Sequence, residues 1–414
     1  MLHAVLLCAL LGPARAGRAP SRPASQTLTV ALTRGFSSAT AVDVRCGPDA
    51  RVFLDDRPIS TGDASGVWRV SLGDGGLAIR MPDGTRTRSG RRCEFAPGNA
   101  DDPLGLSRAG SARPVRYRGA IEIRATAGSR LLVLNRVSLE DYLRGVVPAE
   151  MPAGAPSAAL QAQAICARTY ALKLLQSGKY RARGYDLNDT TMCQAYGGAS
   201  AETPATDAAV RETAGQALTR NGALIWADYC DDCGGYTAPG DTPDDFPPAV
   251  LDVAEDGSDL CSDAPHHVWT LTLTPDEIAR RLGAAAKGIG RVTSIEIVER
   301  DETGRVRTAN IVGEEGETTA KGTALRAALG YEELRSTRFG VVRNDDGSFT
   351  FTGKGNGHGR GLCQWGAMAL AKPPKALSCA QILDHYFPGA TIGEAPTEEA
   401  RGDADRETRN RPSP

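Results

Sequence analysis

The segment VSLEDYLRGVVPAEMPAGAPSAALQAQAICARTYALKLL, residues 137–175, decides how the chain is read. At its centre Glu150 stands between Val146, Val147, Pro148 on one side and Met151, Pro152 on the other, with no Lys or Arg closer than Arg144. A carboxyl group in apolar surroundings without a local partner keeps its proton to higher pH, because burial penalises the charged form. A carboxyl protonated near neutrality is what general acid catalysis on a glycosidic bond requires, so Glu150 is the first catalytic candidate. The plainer alternative leaves Glu150 facing solvent in a proline-bounded turn. Beyond it, Pro156 suits the first turn of a helix. Leu160, Ala164, Ala167, Ala171 and Leu174 recur at three- and four-residue spacing and predict an amphipathic helix ending near Ser177-Gly178. Arg168 lies off that stripe and reads either as a surface charge or as a partner for a carboxylate or substrate oxygen.

Upstream, short alternating runs (LTVAL, VDVRC, RVFLD, VWRVSL, LAIRM) are separated by Gly, Asp and Pro. They predict a small all-β module over residues 27–110. A second β block, VRYRGAIEIRATAGSRLLVLNRVSL, leads straight into the central segment. Residues 1–16, MLHAVLLCALLGPARA, carry an apolar run and an Ala14-Arg15-Ala16 end, the pattern of a secretory signal peptide, although no Lys or Arg precedes the run. Residues 17–26 read as a flexible leader. Export to the periplasm, the cell envelope or the medium is the expectation, and a disulfide between Cys46 and Cys93 of the β module is the simplest consequence. No later stretch approaches the roughly 18 apolar residues of a membrane-spanning helix.

The chain has 414 residues, more than one hydrophobic core normally organises, and a net charge of −2 that implies no basic face for nucleic acid. With 47 Gly and 25 Pro, it reads as many turns and short strands around a few helices, an α+β, β-rich fold class. Residues 269–337 read as a β-rich subdomain: a strand, a helix from Pro275 to Leu282, paired strands about Glu302-Thr303-Gly304, and a helix near Ala324 to Leu329. It holds no cluster of catalytic residue types. Thr206 is placed to cap a helix that opens with Asp207. Ser378 and Gln381 form a capping box for a helix running to Tyr386-Phe387, and residues 391–414 form a polar, disordered tail.

Two further stretches carry chemistry. Cys230-Asp231-Asp232-Cys233, followed by Cys261 and His266-His267, has the Cys-x2-Cys spacing that sets two thiolates on one turn. A third Cys and a His can then complete a tetrahedral zinc site, while disulfides among the same cysteines are the equal alternative. The run GKGNGHGRGLCQWGAMALA, residues 353–371, has alternate glycines but no nucleotide-loop spacing. Such glycines let the backbone approach a ligand or another segment closely, and leave His358 free to hydrogen-bond substrate.

Taken together, DYLRGVVPAEMP followed by SAALQAQAICARTYAL, then the Gln194 to Gly198 segment, Gly234-Gly235-Tyr236-Thr237, and GHGRGLCQWGA resemble the stage II sporulation protein D (SpoIID/LytB) family. The likeness spans about Val115 to Ala390, within a catalytic region taken as 111–390. It implies lytic transglycosylase activity on peptidoglycan glycan strands, with the glutamate of the EMP turn, Glu150, as the catalytic acid. It implies substrate contacts from Arg168, Tyr170, Gln194, Tyr196, His358 and Gln364. It also favours a structural zinc on Cys230, Cys233, Cys261 and His266, with His267 the weaker choice because neighbouring side chains on an extended segment point to opposite sides. Some members are thought to bind the wall without cutting it and to recruit or stimulate a cell-wall amidase, which is the alternative expectation.

Overall fold

The computed structural model describes residues 26–60, 63–240 and 246–396. The signal peptide expected at 1–16 lies outside the described residues, as do residues 397–414 of the expected tail; the start of that tail is not disordered, since Thr391–Glu394 is a strand hydrogen-bonded antiparallel to Gln216–Arg220. The fold is α+β and β-rich. Its helices are α1 (Leu139–Glu150), α2 (Ser157–Ser177), α3 (Pro204–Glu212), α4 (Pro275–Leu282), α5 (Gly322–Leu329), α6 (Gln364–Leu370) and α7 (Cys379–Tyr386).

Two sheets supply the amino-terminal half. One runs Leu187–Asn188, Thr27–Ala31, Leu131–Ser138, Ala120–Ala125, Arg92–Ala96, Arg51–Leu54, Arg57–Pro58; the other runs Val115–Tyr117, Leu104–Arg108, Ala41–Cys46, Gly66–Gly73, Gly76–Arg80, Arg86–Gly90. Their alternating inward residues, Val42, Val44, Trp68 and Val70 from the second and Val52, Phe95, Ile121 and Ile123 from the first, belong to one core, and Trp68 meets Phe95 edge to face across it. The first sheet passes through the boundary expected near residue 110: Arg92–Ala96 of the β module pairs with Ala120–Ala125, which pairs with the strand that feeds α1. The module is therefore hydrogen-bonded into the same sheet that presents Glu150. Cys46 and Cys93, expected as a disulfide, are buried free thiols on opposite sheets.

The proline-bounded turn expected at Glu150 is the last turn of a helix. Ser138 caps α1 through the amide of Asp141, and Leu139, Tyr142, Leu143, Val146 and Val147 are buried along it. That apolar stripe outweighs Pro148, which forfeits only the one bond to the carbonyl of Arg144. In α2, Pro156 is the N-cap, and Gly178, at φ +62°, closes the helix as read from sequence. Ala159, Ala162, Ala164, Ala167 and Ala171 are all buried; small side chains let α1, α3, α6 and α7 pack close around it. Thr203, three residues ahead of the expected Thr206, caps α3, because Pro204 takes the first helical position and Thr206 supplies the amide that is capped.

A second core, built from Trp269, Leu273, Ile278, Val306, Ile311, Leu325, Phe339 and Phe351 among others, corresponds to the expected β-rich subdomain. It extends past 337 to the strands Phe339–Arg343 and Phe349–Lys354. Capping boxes at Thr274/Glu277 and Ser378/Gln381 start α4 and α7. No helix among the described residues is long and apolar enough to cross a membrane.

Candidate functional site

Glu150 ends α1 half-buried. Burial raises its pKa above the ordinary 4.5; three donors, the backbone of Ala195 and the side chains of Tyr229 and Gln364, pull it back down, and the charge of Asp231 adds to the rise. The Ala195 amide donates to Oε1 at 2.6 Å. Each donor is itself held. Gln194 accepts from the Tyr142 hydroxyl (3.2 Å) and donates to the Tyr229 hydroxyl (2.9 Å) and to the carbonyl of Ala167 (3.2 Å). Gln364, at the start of α6, donates to Gln163 of α2 at 3.2 Å. Asp231 accepts from Asn356 Nδ2 (2.8 Å) and Trp365 Nε1 (3.1 Å). The result is a half-buried carboxyl group oriented by fixed neighbours, with its proton held to higher pH.

Of the residues expected at substrate, His358 is exposed. Its Nδ1 accepts the backbone amide of Arg360 at 3.1 Å, which leaves the proton of the neutral ring on Nε2. Part of the residue stays open to solvent, and the protein around the rest of it, then the positive charges of Arg326, Arg360 and Arg305, lower its pKa below the usual histidine value. Strand Tyr229–Cys230 joins the two motifs: it pairs with Leu362–Cys363, the Tyr229 side chain bonds Glu150, and its backbone bonds His358. Gly361 makes this approach possible, since a Cβ there would lie 2.0 Å from the carbonyl of Asp228. Tyr170 is half-buried, edge-on to Trp226 and Tyr229 at ring separations of 5.8 and 6.4 Å.

The other expected contacts face inward. Arg168 is fully buried, spanning Glu140 with two bonds of 2.8 Å and reaching Thr213 and the carbonyls of Gln216 and Val210. Its donors are spent inside the protein, so it braces α1 against α2 and α3 and does not meet substrate. Tyr196 is buried against Tyr117 and Tyr142 with its hydroxyl on Asn135. Gln194 and Gln364 act at one remove, by holding Tyr229 and Glu150. Sequence reasoning missed Tyr229 and Asp231, although they flank Cys230 in a stretch already under scrutiny.

The metal set is rearranged. Cys233, Asp252, Cys261 and Cys363 bring four buried ligand atoms within 4.8 Å of one another. The Cys233 and Cys261 sulfurs are 3.8 Å apart, close to the edge of a tetrahedron with zinc–sulfur bonds of about 2.3 Å. The Cys230 thiol adjoins that of Cys363. Backbone amides of Cys233 and Gly366 point at Cys363 Sγ from 3.3 and 3.4 Å, as suits a thiolate. Asp252 is held by His385 (3.1 Å) and Tyr386 (2.9 Å), leaving its other oxygen on Cys233 (3.1 Å). This donor set fits zinc. His266, expected as the fourth ligand, is exposed, whereas His267 is buried between Asp232 (3.0 Å) and Asp259 (2.9 Å) beside Cys261. Alternation does decide between the pair, but in the opposite phase: Trp269 and Leu273 of strand Val268–Leu273 face the core, and His267 is in register with them.

The family model described as stage II sporulation protein matches residues 127–220, and a domain of unknown function matches 250–361. Stage II sporulation protein D of Bacillus subtilis is 33% identical over 63% of this chain and 76% of its own length. An uncharacterized protein of Brachyspira hyodysenteriae is 30% identical over 63% of this chain and 68% of its own. A Bacillus subtilis protein named amidase enhancer is 29% identical over 60% of this chain and 40% of its own length. The chain belongs to the stage II sporulation protein D family.

Proposed function

We propose that the chain is a lytic transglycosylase of bacterial peptidoglycan, with Glu150 cleaving the MurNAc–GlcNAc glycosidic bond to leave a 1,6-anhydro end. The observation that carries this reading is the Glu150 carboxyl, half-buried, with a raised pKa and three oriented donors. A cell-wall role is supported by the family and by a relative named amidase enhancer. Glu150 donates its proton to the glycosidic oxygen as the C1–O bond breaks. The N-acetyl group of the sugar supports the cation at C1. The 6-hydroxyl then attacks C1, returning its proton to the Glu150 carboxylate, which Ala195, Tyr229 and Gln364 stabilise in the interval. Water takes no part, so one acid suffices.

Digesting glycan strands stripped of stem peptides tests the reading. The wild-type protein should release anhydro-ended fragments, and Glu150→Gln should be slower by about 10²–10⁴-fold, the usual worth of a general acid. Full activity in that variant would remove Glu150 from the mechanism. Reducing ends without anhydro sugars would mean that water attacks, and would overturn the anhydro mechanism. A second reading, a wall-binding module that recruits or stimulates an amidase, is favoured by the name of one relative. Sacculi that bind the protein and release no fragments would select it.

The cysteine cluster is read as a structural zinc centre on Cys233, Cys261, Cys363 and Asp252, with Cys230 alongside. A closed site of this kind supplies rigidity, not a reactive water. Its donors would pin the segment between Gly234 and His267 next to the strand that carries Tyr229. Export, expected from the signal-peptide pattern at residues 1–16, would bring the protein to the compartment that holds peptidoglycan.

A further inference from the structure

We propose that Arg305 is the resident counter-cation of the cysteine centre and holds the His358 loop against it. Arg305 belongs to the second core's hairpin, directly before strand Val306–Gly313, and its backbone amide is fixed by Asp301 at 3.0 Å. Its side chain leaves that hairpin and enters the space beside the sulfurs, where the residue is 2% exposed. Nη2 donates to the carbonyls of Cys233 (2.6 Å) and Tyr236 (3.0 Å). Nε and Nη1 have no acceptor among the described residues.

A buried guanidinium without an opposing charge is heavily penalised, as are its orphan donors. The negative groups that face Arg305 are Cys230 and Cys233, then Asp301; Arg338, Arg326 and the neutral His358 offer no compensation. Neutral thiols would leave the cation only Asp301, which is shared with Arg307 at 3.6 Å. Thiolates on a divalent metal would not: three sulfurs and Asp252 around one dication carry a net charge of −2, and sulfur accepts N–H donors. On the other side, a Cβ on Gly359 would lie 2.3 Å from Nη2. The loop bearing His358 therefore lies directly on the guanidinium, and the same group touches the centre and the loop.

This role presupposes metal-bound thiolates, so zinc affinity is the measurement, made on the purified chain by competition with a chromophoric chelator. Arg305→Met, which keeps the bulk and removes the charge, should bind zinc about 10–100-fold more weakly, the usual cost of losing a partner behind the ligands. Arg305→Lys should recover most of that loss. Circular dichroism checks the fold. Wild-type affinity in Arg305→Met overturns the proposal. If Arg305→Met does not fold, Arg305→Lys alone decides: zinc retained supports a charge role, and a folded Lys variant without zinc overturns it. A zinc-free wild-type protein sinks the metal reading and this role with it, whereas zinc bound equally by all variants sinks this role alone. Glycan digestion reports on Glu150 separately from either result.

Discussion

Glu150 is a residue whose chemistry is bought with stability. A carboxyl whose pKa is raised on folding binds its proton more tightly in the native state than in the unfolded chain, so stability falls as pH rises from the unfolded value through the folded one. Glu150→Gln should therefore raise the melting temperature at neutral pH, and the gain should vanish below about pH 4, where both forms are uncharged. Calorimetry across pH 3–8, with no gain at neutrality, would mean that the carboxyl is not held as described. The alkaline limb of the pH–rate profile follows the same group. The Tyr229 hydroxyl favours the ionised form, so Tyr229→Phe should move that limb to higher pH; the charge of Asp231 opposes ionisation, so Asp231→Asn should move it lower. Shifts in one common direction would contradict the assignment.

At the scale of elements, the site depends on how α1 meets α2. Arg168, inside the small-residue face of α2, takes the Glu140 carboxylate at the start of α1, the carbonyl of Val210 in α3 and that of Gln216 beyond it. Removing one partner of a buried, hydrogen-bonded ion pair typically costs about 3–5 kcal/mol. Glu140 is partly exposed, which places Arg168→Ala near the lower end. Urea unfolding should show this loss, while KM for glycan strands in the folded protein stays near the wild-type value. A large rise in KM with unchanged stability would return Arg168 to the substrate. The long α2 helix, α4 and α7 were legible because their caps and apolar spacing are local. The continuation of α1 through Pro148 was not, because it depends on burying Val146 and Val147 against the rest of the core.

At the scale of the whole molecule, the cysteine centre joins a loop of the second half, Cys261, to Cys233, just past strand Tyr229–Cys230, and to Cys363 of the Gly-rich motif. The purified protein should contain about one zinc per chain. Cys363→Ser and Asp252→Asn should each deplete it, and His266→Ala should not; the reverse pattern would restore the ligand set expected from spacing. Hydrogen exchange after chelation should rise between Gly234 and His267 and leave α2 protected.

Sequence alone determined what adjacent residues settle among themselves: the acid in its apolar run, the capped helices, the alternating strands, the Cys-x2-Cys turn, and a family likeness resting on ordered motifs. The tertiary structure decided which side chains share a space. Arg168 and Tyr196 sit in matching motif positions, yet burial spends their polar groups inside the core. Tyr229 and Cys363 gain their roles only because the Gly-rich loop lies against the strand at Tyr229–Cys230. His267 faces inward because its strand is phased by Trp269. A local pattern specifies a residue's conformation and the face it occupies. What stands opposite that face is set by contacts between segments far apart in the chain, and so by packing.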